Sequence, residues 1–136
     1  MPEFFPAVIH HNPDCGTSRN VLAMIEAAGC SPTVIEYLKV GWTVPQLQAL
    51  LAVMGLRARD LLRDKGTPAA DLGFLDEGVT QDALIAAMVA HPILVNRPIV
   101  ATPKGVKLCR PSEVVLDLLE RRPESFTKED GEVVRV

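Results

Sequence analysis

The chain is poor in cysteine and lacks a paired-cysteine motif. Its 136 residues contain only Cys15, Cys30 and Cys109. An odd number of cysteines at wide spacing does not suit a disulfide framework, and the absence of C-x-x-C spacing disfavours a zinc knuckle and a self-contained dithiol redox centre. We therefore expect thiols kept reduced in the cytoplasm.

Long apolar segments and excess positive charge are also missing. No stretch reaches the roughly 18 to 20 apolar residues of a membrane span, and the acidic, proline-interrupted residues 1–6 do not fit a secretory signal. The net charge of −3 at pH 7 gives no general attraction to nucleic acid or an anionic membrane. We expect a cytoplasmic protein that binds neither, in which locally arranged cations must hold any bound anion.

The composition is that of one folded domain, and its first part predicts a βαβ unit. Hydrophobic residues make up 48% and charged residues 23% of the chain, which suits a compact domain with a real core. β-prone residues 7–10 and 33–37 flank a loop and a helical segment that begins at Ser18 and ends at Gly29. Such units pair their strands in parallel.

The middle of the chain predicts helices, and the last third predicts a hairpin and a helix. Thr43 starts a helix with capping-box spacing, residues 60–64 form a short helix, and Thr80 caps another. Strands at 99–101 and 106–109 form the hairpin, and Pro111 opens the last helix.

A βαβ half followed by a ββα half predicts an α/β fold of the thioredoxin-like type. The helical segment, at about residues 43–91, would be an insertion between the halves of a single domain spanning residues 1–136. The charged segment at about 123–136 favours a mobile tail.

Cys15 is the most informative residue, because it ends a strand-to-helix loop. The unpaired N–H groups and the roughly half positive charge at a helix N-terminus favour a thiolate and cradle an oxyanion. Gly16 allows close approach of a ligand, and Thr17 continues into the helix. His11 is placed to donate a hydrogen bond to the thiolate or its loop, and Arg19 adds positive charge.

The alternative interpretation of any cysteine is an inert, buried, small hydrophobe. We apply it to Cys30, which lies in a turn, and to Cys109, which ends an apolar strand. The polar, glycine-containing surroundings of Cys15 favour a nucleophile instead.

Two arginines are placed to bind an oxyanion near such a nucleophile. Arg97 and Arg110 each precede a proline at a strand boundary, and guanidinium groups bind tetrahedral oxyanions bidentately. Pro98 occupies the position of the cis-proline that faces the cysteine in thioredoxin-like folds. A cysteine-dependent phosphatase would need C-x5-R, but the sixth residue after Cys15 is Val21. An oxyanion clamp must therefore use distant arginines.

Four segments carry a family resemblance. They read His-Asn-Pro-Asp-Cys-Gly-Thr-Ser-Arg-Asn at 11–20, His-Pro-Ile-Leu-Val-Asn-Arg-Pro-Ile-Val at 91–100, Leu-Cys-Arg-Pro-Ser-Glu-Val-Val-Leu at 108–116 and Phe-Thr-Lys-Glu-Asp-Gly at 126–131. In this order they resemble the glutaredoxin-linked arsenate reductases, an ArsC-like family with a thioredoxin-like fold. Cys-Gly-Thr-Ser-Arg and Leu-Cys-Arg-Pro-Ser are the more specific motifs.

The resemblance implies a role for each matched residue. Cys15 would be the catalytic cysteine, His11 would lower the pKa of Cys15, and the Ser18 hydroxyl would belong to the same network. Arg63, Arg97 and Arg110 would bind arsenate and its cysteine adduct, and Asn12 and Arg19 would support the loop. From the backbone cradle at the start of the helix we also expect Gly16 and Thr17 to bind the substrate, and from its position before the strand we expect Pro98 to support the site.

The resemblance also implies a mechanism and its partners. The Cys15 thiolate would attack As(V), glutathione would attack the adduct as co-substrate, and glutaredoxin would remove the glutathione as arsenite leaves. Ser18 stands where a second cysteine of C-x-x-C would be, which fits an enzyme that imports its resolving thiol. No metal or bound organic cofactor is implied.

Three alternatives stay open. The first is a glutathione-dependent thiol oxidoreductase of the same fold with another substrate. The second is a non-enzymatic regulatory binding module of the thioredoxin fold, although such modules carry C-x-x-C. The third is a structural domain whose Cys15 thiol has an ordinary pKa near about 8.5.

Overall fold

The computed structural model describes residues 6–119, 125–128, 131 and 133–135. The chain divides into two compact units, one from the described parts of Met1–Glu36 and Arg97–Val136, the other from Tyr37–Asn96. The second unit contains the helical segment that the sequence predicted as an insertion. The organisation as a single domain stays a prediction.

The first unit is built on a four-stranded sheet. Its strands are β1 (Val8–His11), β2 (Thr33–Glu36), β3 (Ile99–Thr102) and β4 (Gly105–Leu108), in the order β2-β1-β3-β4. Strands β1 and β2 are parallel, whereas β1 with β3 and β3 with β4 are antiparallel. The predicted α/β fold of thioredoxin-like type, βαβ and then a β-hairpin, is confirmed.

Helix α1 (Gly16–Ala27) connects β1 to β2 and covers one face of the sheet. Its buried apolar residues, Val21, Met24 and Ile25, have the i, i+3, i+4 spacing of a single helical face. They share a core with Ile9 of β1 and Val100 of β3. The helix begins two residues earlier than predicted, and the chain leaves it through Gly29, whose φ of 85° favours glycine.

The last helix is a 3₁₀ helix, Ser112–Leu118, where the sequence predicted a helix after Pro111. Its apolar residues Val115, Leu116 and Leu118 pack in the same core as α1. The Thr102 hydroxyl donates a hydrogen bond of 2.7 Å to the Leu118 carbonyl, which satisfies an acceptor at the end of the helix.

Two short antiparallel strands, β5 (Ser125–Thr127) and β6 (Val133–Arg135), form a hairpin near the end of the chain. The predicted mobility of about residues 123–136 stays a prediction. Residues 120–124, 129–130, 132 and 136 lie outside the described residues.

The second unit is helical. It contains α2 (Tyr37–Val40), α3 (Val44–Met54), α4 (Ala58–Leu61), α5 (Gln81–Ala90) and the short 3₁₀ helix Pro92–Leu94. The predicted capping box is present: the Gln46 N–H donates to Thr43 Oγ1 at 3.3 Å, and the Thr43 N–H donates to Gln46 Oε1 at 3.4 Å. Thr80 caps α5 by accepting from the Ala83 N–H at 3.1 Å.

The short helix predicted at residues 60–64 instead spans Ala58–Leu61. It ends early because the following backbone pairs with another segment of the unit. The Arg63 N–H donates to the Leu94 carbonyl at 2.7 Å, and the Asn96 N–H donates to the Leu61 carbonyl at 2.8 Å. Among the described residues, no helix has the length and apolar content needed to cross a membrane.

Candidate active site

Cys15 lies between the end of β1 and the first residue of α1. Its backbone is extended, with φ −99° and ψ 120°, and its N–H donates to the Asn12 carbonyl at 3.0 Å. The first turn of this 12-residue helix contains no acidic residue, so no carboxylate within that turn offsets the positive charge of the helix N-terminus. The residue is 8% exposed, which places a nearly buried thiol at a helix N-terminus.

The strand register places two arginines beside this loop. His10 of β1 pairs with Ile99 at the start of β3, and Ile99 pairs with Leu108 at the end of β4. The end of β1, the start of β3 and the end of β4 therefore lie at the same end of the sheet. Arg97 precedes β3 and Arg110 follows β4, so both lie at the end of the sheet where the cysteine loop begins.

The Arg110 guanidinium bridges the thiol and the neighbouring backbone. Its Nη1 lies 3.7 Å from Cys15 Sγ and donates to the Arg97 carbonyl oxygen at 3.0 Å. The Arg97 guanidinium also interacts with the sulfur, as a hydrogen-bond donor and as a positive charge. Two guanidinium groups thus converge on one buried thiol.

These contacts decide the acidity of Cys15. Burial raises its pKa, but the Ser18 backbone N–H, the Arg97 guanidinium and the Arg110 guanidinium outweigh burial, so the pKa is lowered. Donors that point at a sulfur stabilise the thiolate more than the thiol. Cys15 is therefore biased toward the nucleophilic form.

His11 and Ser18 form a buried network behind the thiol. His11 Nδ1 lies 2.7 Å from Ser18 Oγ, which also accepts the Asn12 N–H at 3.1 Å. Burial is the main cause of a lowered His11 pKa; Glu36 opposes this effect and Arg19 adds to it. The imidazole is therefore mainly neutral at pH 7. Any influence of His11 on the sulfur can pass through Ser18, whose backbone N–H stabilises the thiolate.

The predicted supporting residues form hydrogen bonds within the cysteine loop and between the segments that precede β3 and follow β4. Asn12 Oδ1 accepts the Asp14 N–H at 2.9 Å, and Arg19 Nη1 donates to the Pro13 carbonyl at 2.8 Å. The Arg97-Pro98 peptide bond is cis, and the Pro98 carbonyl accepts the Cys109 N–H at 2.9 Å.

Gly16 and Thr17 are the first residues of α1 and are half-buried. Arg63 belongs to the second unit, where its Nε donates to the Lys65 carbonyl at 3.1 Å. Its role in binding an oxyanion stays a prediction.

The other cysteines differ from Cys15. Cys109 is fully buried in the core, and burial raises its pKa to about 12. Cys30 is half-buried beyond the end of α1, and none of the three cysteines forms a disulfide. In the part of the chain that the structure describes, no group of three or more His, Cys, Asp or Glu side chains could hold a metal ion.

Sequence reasoning missed two features of the site. The acceptor that anchors Arg110 is the backbone carbonyl of Arg97, and main-chain acceptors have no sequence signal. The Arg110-Pro111 peptide bond is cis, and the dipeptide alone does not reveal its isomer.

Comparison with known proteins agrees with this geometry. The sequence model described as "ArsC family" matches residues 10–118. The chain belongs to the ArsC family. Within it, the chain is 63% identical over 128 residues to arsenate reductase ArsI2 of Synechocystis sp., which covers 93% of this chain and 91% of that protein. It is 52% identical over 127 residues to an arsenate reductase of Escherichia coli strain K12, with coverages of 93% and 90%.

A solved structure supports the assignment to the ArsC family. The arsenate reductase from Vibrio cholerae superposes with a TM-score of 0.81 at 39% sequence identity, covering 86% of this chain and 100% of that one. The ArsC-like family resemblance and the thioredoxin-like fold predicted from the sequence are both confirmed.

Proposed function

We propose that this protein reduces arsenate to arsenite with Cys15 as the nucleophile. The observation that carries the proposal is a nearly buried thiol of lowered pKa at a helix N-terminus, with Arg110 Nη1 3.7 Å from its sulfur. A thiolate supplies the attacking atom, and the fixed positive charge suits a tetrahedral oxyanion. Arsenate as the substrate is supported by the names of the family members described above.

The first step forms a bond between sulfur and arsenic. The Cys15 thiolate attacks As(V), and one arsenate oxygen leaves as water after protonation. Arg97, Arg110 and, by the family resemblance, Arg63 neutralise the remaining oxygens, while the backbone N–H groups of Gly16 and Thr17 extend the cradle. Positive groups fixed before the reaction stabilise the charge that moves onto the oxygens.

Two external thiols then supply the electrons. Glutathione attacks the arsenic of the adduct through its sulfur, and a second oxygen leaves as water. The glutaredoxin thiolate then attacks the glutathione sulfur, and the electron pair of the sulfur–arsenic bond stays on arsenic. Arsenic gains two electrons, one from each thiol, and the two sulfurs leave as a glutathione–glutaredoxin disulfide. Release from Cys15 by water gives arsenite and regenerates the thiol, so no metal or bound organic cofactor takes part.

The positions of the other cysteines support an external reductant. Cys15 and Cys30 lie at opposite ends of α1, which is 12 residues and therefore about 18 Å long. A disulfide needs Cα atoms within about 7 Å of each other. Cys109 is buried, and its pKa of about 12 leaves almost no thiolate at neutral pH. We propose the cytoplasm as the location of the protein, because thiol reductants such as glutathione are kept reduced there.

The test is arsenate-dependent NADPH consumption in a mixture of glutathione, glutaredoxin and glutathione reductase. Wild type should turn over, Cys15→Ser should not, and Cys30→Ser should match wild type as the thiol-removal control. Arg63→Ala should retain only a small part of the activity. Turnover should also stop when either glutathione or glutaredoxin is left out.

Well-folded wild type that shows no arsenate-dependent turnover with any thiol donor would rule out the proposal. Reduction of a small glutathione mixed disulfide in place of arsenate, lost in Cys15→Ser but kept in Arg63→Ala, would support the general thiol oxidoreductase instead.

A further inference from the structure

A lysine from the C-terminal hairpin lies against an acidic residue next to the candidate site. Lys128 follows β5 and forms an ion pair with Glu113, and the two side chains are only 11% and 32% exposed. Glu113 Oε1 also accepts the Ser112 hydroxyl at 3.2 Å. Two donors therefore hold one carboxylate oxygen in a partly buried place, where such contacts are stronger than on the open surface.

Glu113 is also the acidic residue closest in sequence to Arg110. It follows Arg110 by three positions, in the first turn of the 3₁₀ helix Ser112–Leu118. The Val114 N–H donates to the Pro111 carbonyl at 3.1 Å, so the turn that contains Glu113 begins directly after Arg110. Three residues span at most about 11 Å of backbone, a distance that the long side chains of arginine and glutamate can together bridge.

A carboxylate at this place can compete for the site. Guanidinium groups form strong bidentate pairs with carboxylates, as they do with oxyanions. If Glu113 turned toward Arg110, it would draw that guanidinium away from Cys15 Sγ and from a bound anion. It would also bring a negative charge toward the thiolate, which raises the pKa of a thiol.

We propose that Lys128 is a positioning residue that holds the Glu113 carboxylate away from Arg110 and so leaves the Arg110 guanidinium to the Cys15 sulfur and the bound oxyanion. Lys128 touches neither the thiol nor the substrate in this role and acts only through Glu113. Its hydrogen bond to Glu113 is the main cause of the lowered pKa of that carboxyl, so the carboxylate stays charged and paired at neutral pH. The nature of the oxyanion rests on the proposed function, whereas the effect on Cys15 does not.

The proposal predicts that removing Lys128 lowers both the reactivity of Cys15 and the affinity for arsenate, and that removing the charge of Glu113 as well restores them. In Lys128→Met, Glu113 keeps its charge but loses the lysine, so the pH profile of Cys15 alkylation by iodoacetamide should move to higher pH. The alkylation rate at pH 7 should fall about threefold, and KM for arsenate should rise about three- to tenfold. Adding Glu113→Gln to Lys128→Met should restore both values, because the competing charge is then gone. Lys128→Arg should stay near wild type.

A matched control comes from a second ion pair, between β4 and the same 3₁₀ helix. Lys107 forms an ion pair of 3.6 Å with Asp117, and both side chains are about half exposed. Lys107→Met makes the same change in net charge and should leave the alkylation profile and KM at wild-type values. All variants carry Cys30→Ser, so that alkylation reports on Cys15. Should Lys128→Met fail to fold, Lys128→Gln and Lys107→Gln make the same comparison.

The outcomes separate the two proposals. Lys128→Met indistinguishable from Lys107→Met, or not restored by Glu113→Gln, would overturn the positioning role and show that the lysine only fastens the hairpin. A shifted alkylation profile in Lys128→Met, together with no arsenate turnover by wild type, would support the positioning role and reject arsenate as the substrate.

Discussion

The surroundings of Cys15 and Cys109 differ in one respect that decides their chemistry. Both thiols are buried in the same compact unit, yet the pKa of Cys15 is lowered and that of Cys109 is raised to about 12. Around Cys15 the polar groups are donors: the Ser18 N–H and two guanidinium groups. The Cys109 thiol instead donates to the Lys107 carbonyl at 3.7 Å.

The difference shows that burial alone does not make a cysteine inert. Removing a thiol from water disfavours the thiolate in both places. N–H donors and positive charge outweigh this effect at Cys15. At Cys109 burial dominates, the Lys107 ammonium opposes it and the Asp117 carboxylate adds to it. Four experiments test the contrast, and they follow in order of decreasing expected effect.

Activity should depend on one of these thiols alone. Cys15→Ser should lower arsenate turnover at least about a thousandfold, because the hydroxyl is not ionised at neutral pH and cannot replace a thiolate nucleophile. Cys109→Ala should keep turnover within about twofold of wild type. The coupled NADPH assay measures both variants, and equal losses in the two would remove the distinction between the thiols.

Alkylation should separate the thiols by pH. At pH 7 a thiol of pKa about 12 is thiolate in only about one molecule in a hundred thousand. Iodoacetamide should therefore modify Cys15 at least about a thousandfold faster than Cys109 in the folded protein, and peptide mass spectrometry gives the two rates. Comparable rates in the native state would contradict the assigned environments.

Arg110→Ala should make Cys15 more like Cys109. Losing one donor and one positive charge should raise the pKa of Cys15, so its alkylation profile should move to higher pH. KM for arsenate should rise about ten- to a hundredfold, since a charged donor to the anion is also lost. Arg59→Ala provides an arginine control, because Arg59 lies in the second unit and donates to the Asp76 carbonyl at 2.9 Å. No change in the Cys15 profile of Arg110→Ala would argue against the guanidinium contact.

Stability should show the smallest effect, at Cys109. Cys109→Ala should lower the free energy of unfolding by about 1 kcal/mol near neutral pH, because the sulfur fills space in the core. The folded-state pKa of Cys109 lies above that of the unfolded chain, so its contribution is full below about pH 8.5 and is lost as the pH rises toward about 12. Wild type should therefore lose its advantage over Cys109→Ala in alkaline denaturant titrations. A difference in the free energy of unfolding between wild type and Cys109→Ala that grows with pH would contradict the raised pKa of Cys109.

Local signals allowed much of the fold to be predicted. The capping box at Thr43, the cap at Thr80 and the βαβ order depend on neighbouring residues, and all three are present. The start of α1 was less accurate: the predicted helix begins at Ser18, whereas the observed helix begins at Gly16.

The features that were missed depend on residues distant in sequence. The short helix ends at Leu61 because residues 61–63 pair with residues 94–96. The contact of Arg110 with Cys15 joins positions 95 residues apart. The positions of Arg97 and Arg110 before prolines at strand boundaries predicted that both lie at the site. The bond from Arg110 to the Arg97 carbonyl and the ion pair of Lys128 with Glu113 were found only in the structure.

The bond between Arg110 and the Arg97 carbonyl has a consequence for affinity. A long arginine side chain loses about 2 kcal/mol of rotamer entropy when it is fixed in one conformation. The carbonyl, at 3.0 Å from Nη1, already restrains this side chain before any anion arrives. Part of that entropy is therefore lost during folding rather than during binding. The site is preorganised, and a small anion can bind without the full entropic cost of fixing the Arg110 side chain.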